Sequence, residues 1–325
     1  MKRTVLYWAI ILGIAGLAIA ARIWSGLRDR APFDAPAAQR VRDTLDPPRD
    51  YVMLPWVAPS EKGAGPRRII SLAPSITETI CALGLFDRLV GRTQYCTYPP
   101  IVDAVPALGA MTDTNFERIR MLEPDIIFIT ENSGELHRTL SALQLNVVAV
   151  PHKSIEDVYT AILQIGDACS RPHTARQLVG AIKADLGRLH RVATASRPSP
   201  LRVLMAIELR IPPQNLFVAG PGSFLEELLL LTGHINAAHD VISSDFGEIP
   251  LERLREIDPD VILDFGPPRD ARADAELYRI WGNVGDLQAI RNRRVRQIGG
   301  PQWLSAGPRI AIELHQMIRC LSEVR

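Results

Sequence analysis

The sequence predicts an α/β protein of two Rossmann-like lobes, each on a parallel sheet, joined by one long bridging α-helix with a ligand cleft between the lobes. Three observations carry that prediction. A helix-proline-strand phrase is written twice, as N-F-E-R-I-R-M-L-E-P-D-I-I-F-I from Asn115 to Ile129 and as P-L-E-R-L-R-E-I-D-P-D-V-I-L-D from Pro250 to Asp264. Strand-like β-branched runs alternate with helical periodicity around each copy, the pattern of parallel sheets with crossover connections. Between the two alternating regions lies a stretch with helical periodicity alone. Two copies so far apart are too few for a solenoid and mark two similar halves. Two halves enclose a cleft, and clefts hold ligands. A chain of 325 residues is long enough for two cores, on a prior of about 100–200 residues per domain. Its net charge of +1 lacks the basic footprint of a nucleic-acid binder.

Taken in order, the chain opens with Lys2 and Arg3 before an uncharged, largely apolar run from Val5 to Ala21. Residues 1–24 therefore read as a signal peptide or as a retained N-terminal membrane anchor, with the basic end held in the cytoplasm. Either places the body in the periplasm. No Cys stands near the end of the run, which argues against a lipid anchor. Residues 25–66 are rich in Pro, Arg, Asp and Ala without sustained periodicity, and read as a tether.

Residues 67–153 form the first lobe. R-R-I-I-S-L-A-P from Arg67 is a strand running into a loop, and Ser75 with Glu78 reads as a capping box opening a helix that closes on Gly84. Leu89-Val90-Gly91 is a second strand, followed by the loop Gln94–Pro100. The first repeat comes next. Phe116, Ile119 and Leu122 fall at helical spacing, Pro124 stops the helix, and a buried strand follows. A helix ending near Leu143 and the strand Val147–Val150 complete the lobe.

Residues 154–199 are the bridge. In its second part Ala175, Leu178, Val179, Ile182, Leu186 and Leu189 share one face, with charges elsewhere. Residues 200–325 form the second lobe: a strand Arg202–Ile207, a loop through Pro212, Pro213 and Phe217, and Gly220-Pro221-Gly222-Ser223 capping an apolar helix. The second repeat and a helix from about Pro308 follow.

The motifs that would carry chemistry point away from catalysis. The sequence holds no G-x-S-x-G elbow, H-E-x-x-H, Walker loop or dinucleotide fingerprint. Gly220–Ser223 resembles a phosphate turn only loosely, and its serine is better explained as an N-cap. Cys81, Cys96, Cys169 and Cys320 show no C-x-x-C pairing. In an oxidising compartment four cysteines allow three disulfide connectivities, and the spacing selects none. His234 and His239 stand five apart, which does not match a helical metal site, so no protein-ligated metal is expected.

Five strings together resemble one family: R-I-I-S-L-A-P-S-I-T-E-T-I-C-A-L-G (Arg68–Gly84), V-G-R-T-Q-Y-C-T-Y-P-P (Val90–Pro100), N-F-E-R-I-R-M-L-E-P-D (Asn115–Asp125), G-P-G-S-F-L-E-E-L-L (Gly220–Leu229) and A-G-P-R-I (Ala306–Ile310). The family is the helical-backbone (class III) substrate-binding proteins of ABC importers, which carry cobalamin, ferric siderophores or haem. The resemblance runs from about Arg67 to Val324. It implies that the chelate sits between the lobes and that one glutamate per lobe docks on arginines of the inner-membrane permease. Those glutamates fall on Glu117 and Glu252, the matched positions of the internal repeat. Each also sits in the first turn of its helix, where the dipole alone favours an acid by about 0.3–1 kcal/mol.

Ligand contacts are expected at Tyr95, in a loop at a strand's carboxyl end where open α/β sheets place ligands, and at Arg210, Phe217, Phe246 and Trp303, in second-lobe loops expected to face the cleft. Tyr98 is a weaker candidate in the same loop as Tyr95. No tyrosine stands at Gly109-Ala110-Met111, where haem-carrying members present an axial one. Tryptophans of well-known cobalamin carriers are mostly absent. The expected ligand is a corrinoid or cobalamin-like chelate or a ferric siderophore, carried as cargo with no intrinsic cofactor and handed to the permease. The alternatives are a membrane-anchored sensor or scaffold on the same fold, and a chelatase-like enzyme.

Overall fold

The computed structural model describes residues 65–110, 113–195, 199–209, 215–266, 273–298 and 305–324. The expected signal or anchor, almost all of the tether, Arg210, Trp303 and Met111 lie outside the described residues.

The first unit is a four-stranded parallel sheet in the order β2-β1-β5-β6, made of β1 (Ile69–Ser71), β2 (Leu89–Arg92), β5 (Ile126–Thr130) and β6 (Val147–Val150). Strands β1 and β5 are buried at every position, as a parallel sheet covered on both faces requires. Helix α1 (Pro74–Ala82) starts two residues earlier than the capping box predicts, and Ser75 makes no cap. Pro74 takes the first helical position, where its missing N–H costs nothing and its fixed φ fits, so Ala73 becomes the N-cap. A short hairpin, β3 (Gly109–Ala110) with β4 (Asp113–Thr114), precedes α2 (Phe116–Met121). Gly109 is required there: at φ +94 a Cβ would lie 2.1 Å from the Asp113 carbonyl oxygen. Ile70, Leu72, Ile119, Ile127, Ile129, Leu136 and Leu140 form the core, the last two from α3 (Gly134–Ala142).

Two helices then follow, α4 (Ile155–Ala168) and α5 (Pro172–Thr194), and all six predicted face residues of α5 are buried. Neither helix belongs to a single unit. The first unit comprises residues 65–151 with Ala161–Leu178, and the second His152–Thr160 with residues 179–324. The chain therefore passes between units after Pro151, again within α4, and again within α5. In the first unit α4 meets α5 closely at Gly166, where a Cβ would come within 2.3 Å of the Ala175 Cβ. In the second unit the start of α4 is held by α6 (Phe224–Leu231): Glu227 Oε2 accepts from the Ile155 N–H at 2.6 Å, and Phe224 N–H donates to Lys153 O at 2.8 Å.

The second sheet runs β10-β8-β7-β11-β12, with β9 beside β7. Its strands are β7 (Arg202–Leu209), β8 (Asn215–Ala219), β9 (Ile235–Asn236), β10 (Phe246–Pro250), β11 (Val261–Asp264) and β12 (Val295–Gln297). Strands β7, β9, β11 and β12 are parallel, as expected, while β8 runs antiparallel to both β7 and β10. The reason is the short β7–β8 connection, which leaves no room for a crossover helix. Helix α7 (Leu251–Ile257) belongs to the second repeat, and α8 (Ala273–Gly282), α9 (Gln288–Arg291) and α10 (Ile310–Ser322) follow. Trp281 is fully buried in this core, its indole N–H donating to Asp264 Oδ2 at 2.9 Å.

Each repeat fastens its own sheet in the same way. After the helix-stopping proline, Asp125 Oδ2 accepts from the N–H groups of Arg67 (2.6 Å) and Arg68 (2.9 Å), and Arg68 Nε donates to Leu122 O at 2.7 Å. In the second unit Asp260 Oδ2 accepts from Arg202 N–H (2.8 Å), and Arg202 Nη1 donates to Ile257 O at 2.8 Å. Acid and arginine together clasp the end of the repeat helix to the start of the neighbouring strand. The backbone N–H bonds hold the Asp125 carboxyl below the usual aspartate range.

Candidate ligand loops and docking helices

In the first unit the candidate loop leaves β2 at Arg92, whose guanidinium is buried and turned into the loop. Its Nε donates to Val102 O (2.7 Å) and Val105 O (3.1 Å), its Nη1 to Cys96 O (2.9 Å) and Thr93 O (3.3 Å), and its Nη2 to Asp103 Oδ1 (3.1 Å). One side chain thus fixes the carbonyls on both sides of Tyr95 and Tyr98. The loop is also held by Gln94 N–H on Gly109 O (3.0 Å) and by Leu108 N–H on Arg92 O (2.8 Å). Tyr95 is half-buried at the carboxyl end of a parallel strand, where its ring is presented on a rigid frame. Arg92 was not among the residues singled out from sequence. The signal was a lone arginine ending an apolar strand, and a charge at that place needs a reason.

In the second unit Phe217 and Phe246 do not lie in loops. Phe217 sits mid-strand in β8, which already begins at Asn215, and Phe246 opens β10. Pro250 is tolerated as the last residue of an edge strand. The two rings stack with centroids 6.2 Å apart and planes at 23°. Phe217 stands opposite Glu208 on one side and Glu248 on the other, level with the end of β7 that extends past the last paired residue of β11. Phe217 is 8% exposed and Phe246 half-buried, so Phe246 offers the accessible ring.

The Gly220–Ser223 turn is a cap, as its serine predicts: Ser223 Oγ accepts from Glu226 N–H at 3.2 Å. The buried Glu226 carboxylate folds back on the same turn. Its Oε2 accepts from Gly222 N–H (2.9 Å), and its Oε1 contacts Asn236 Nδ2 (3.0 Å) and His239 Nδ1 (2.8 Å). A protein carboxylate therefore takes the donor that an anionic ligand would need. The Glu226 hydrogen bond and charge raise the His239 pKa above the ordinary imidazole value. His234 is engaged elsewhere, its Nδ1 accepting from Leu201 N–H at 3.1 Å. Among the described residues no group of three or more His, Cys, Asp or Glu is placed to hold a metal.

All four cysteines are free and buried. Burial pushes the thiols of Cys81 and Cys169 up to about 12 and that of Cys320 to about 11. Burial also raises Cys96, against hydrogen bonds from Thr77 and Thr93.

Glu117 and Glu252 occupy matched places. Each is exposed in the first turn of its repeat helix, and neither carboxylate has a hydrogen-bond or ion-pair partner among the described residues. The buried faces of the two helices match as well, with Ile119 in one and Leu251, Leu254 and Ile257 in the other. Helix α2 is capped by Asn115, whose Oδ1 accepts from Arg118 N–H at 2.9 Å.

Two α/β units with loops at the carboxyl ends of parallel strands define a class of binding protein built on paired lobes. The chain belongs to the periplasmic binding protein family, whose pattern matches residues 69–300. It is 30% identical over 251 residues to the uncharacterized ABC transporter substrate-binding lipoprotein YvrC of Bacillus subtilis (strain 168), covering 75% of this chain and 76% of that one. It is 25% identical over 253 residues to the vitamin B12-binding protein of Pectobacterium carotovorum subsp. carotovorum (strain PC1), covering 77% and 88%. Its fold is similar to that of the periplasmic heme-binding protein RhuT from Roseiflexus sp. RS-1, with a TM-score of 0.70 at 24% identity over 80% of this chain and 99% of that one. It is similar also to the periplasmic vitamin B12 binding protein BtuF of Vibrio cholerae, with a TM-score of 0.66 at 23% identity over 80% and 98%.

Proposed function

We propose that this chain is the substrate-binding component of an ABC importer, exported to the periplasm, and that it captures a metal chelate of the corrinoid or ferric-siderophore class. Delivery goes through Glu117 and Glu252, which dock on arginines of the inner-membrane permease. Energy for transport comes from the ATPase of that importer, and this chain performs no chemistry. The observation that carries the reading is the repeated helix: in a chain of this family, each unit presents one exposed, uncommitted carboxylate at the same place. Paired carboxylates of this kind suit a receptor with paired cationic sites. Tyr95 and Phe246 supply aromatic surface for a flat or bulky chelate, with Phe217 behind Phe246, and Arg210 and Trp303, outside the described residues, stay candidate contacts on their place in the sequence.

A fluorescence titration tests the capture step. The full chain is titrated with cobalamin, cobinamide, haem and a panel of ferric siderophores while tryptophan emission is followed. Saturable quenching by a corrinoid or a ferric siderophore at about micromolar concentration or below is expected, equivalent to at least about 8 kcal/mol of binding. Absence of binding across the panel overturns the carrier reading and turns attention to an anchored sensor that uses the same two carboxylates.

A further inference from the structure

We infer that Met121 is an apolar anchor of the docking face of the first unit, seated beside Glu117 in a recess of the permease subunit. The inference rests on the docking reading of Glu117 and Glu252 and adds a contact that the repeat does not supply.

The argument starts from helix geometry. Met121 lies four residues after Glu117 in α2, so the two side chains share one face. The opposite side of α2 is spent on the core, with Ile119 fully buried and Phe116 and Leu122 packed against the same cluster. Met121 is 82% exposed, more than any other exposed large hydrophobic among the described residues. Arg118 does not shield it, since its Nη1 donates to Ala107 O at 3.3 Å. The face that carries the uncommitted carboxylate therefore also carries an uncovered thioether. Methionine is well suited to such a role, because its flexible, polarizable chain adapts to an irregular surface.

The second repeat shows that the helix itself does not demand an apolar residue here. Its corresponding position, four residues after Glu252, is Glu256, which pairs with Arg253 on the same helix. The two units thus offer different neighbours to their docking acids. The first offers an apolar contact and the second an ion pair already neutralised within the chain.

The test measures binding of the full chain to the host's ABC permease–ATPase complex reconstituted in nanodiscs. Four variants are compared with the wild type: Met121→Gln, Met121→Leu, Glu117→Gln and Glu252→Gln. Met121→Gln is expected to weaken binding on the order of tenfold, the scale set by burying a methionine side chain. Met121→Leu keeps the affinity, and both glutamate variants lower it. Thermal unfolding of every variant matches the wild type, since these side chains are exposed. If Met121→Gln binds like the wild type while the glutamate variants weaken, Met121 is idle and the docking reading stands without it. If none of the four weakens binding, the docking reading itself fails and takes this inference with it.

Discussion

Arg92 offers the sharpest test of how the candidate ligand loop is held. Replacing it with alanine removes a cation whose strongest hydrogen bonds, to Val102 O and Cys96 O, are 2.7 and 2.9 Å long. Hydrogen bonds from a charged donor contribute about 1.5–3 kcal/mol each, and water reaching the freed carbonyls offsets part of what they lose, so a net loss of about 3 kcal/mol is expected. The ion pair with Asp103 contributes little, because the Asp103 side chain is 68% exposed and exposed pairs are worth about 0–1 kcal/mol. Arg92→Ala and Asp103→Ala therefore separate the carbonyl clamp from the salt bridge. The assay is native-state chymotrypsin cleavage after Tyr95, under conditions where loop opening is a rapid pre-equilibrium; the bond after Tyr98 is protected by Pro99. A loss of about 3 kcal/mol then becomes roughly a hundredfold faster nicking in Arg92→Ala. Asp103→Ala should cleave nearly as slowly as the wild type. Equal acceleration in both variants, or no acceleration in Arg92→Ala, refutes the clamp.

The doubled clasp predicts that Asp125→Asn and Asp260→Asn each cost about 1–2 kcal/mol, read from urea midpoints. Because the folded Asp125 carboxyl lies below its unfolded value, its contribution is present above about pH 4 and is lost as pH falls through the lowered folded value. His239 has the opposite sign. Its folded pKa is raised above about 6.5, so its pairing with Glu226 stabilises fully below that value and fades as pH rises through the folded pKa. His239→Gln should therefore lower the unfolding midpoint more at about pH 5.5 than at about pH 8.5, and a constant difference would refute the pairing. With all four cysteines free and buried, a chromogenic disulfide reagent should find no thiol in the native protein. Four should appear after denaturation without reductant, and fewer would reveal a disulfide.

The elements most legible from sequence were those whose pattern and punctuation agree. The strand Val147–Val150, the six-residue face of α5, the cap at Ser223 and the proline stops of both repeats all rest on local chemistry that tertiary contacts reinforce. The miss at Ser75 came from two local rules competing at one helix start, where Pro74 at the first position outweighed the capping box. Phe217 and Phe246 were misplaced because β8 and β10 are antiparallel strands flanked by prolines and glycines, and loop composition looks much the same. Arg92 was invisible for a different reason. Its importance lies in carbonyls that its own loop folds back towards it, and no spacing rule records such an arrangement. The clasp of Asp125 with Arg68, and of Asp260 with Arg202, was only half visible: the acids stood out within the repeat, while their partners lie more than fifty residues away.

The division of α4 and α5 has a consequence for how the chain is made. A chain made amino end first presents residues 65–151 before the remainder of their own unit. That unit is completed only by Ala161–Leu178, and the residues in between belong to the second unit, most of which is not yet made. The sheet of the first unit can pair early, but the close seat of Gly166 on Ala175 must wait for α5 to emerge. By then β7 is next in line. The early half thus waits as an open intermediate while the rest of the chain is made. A cut at the apparent lobe boundary would strand it there.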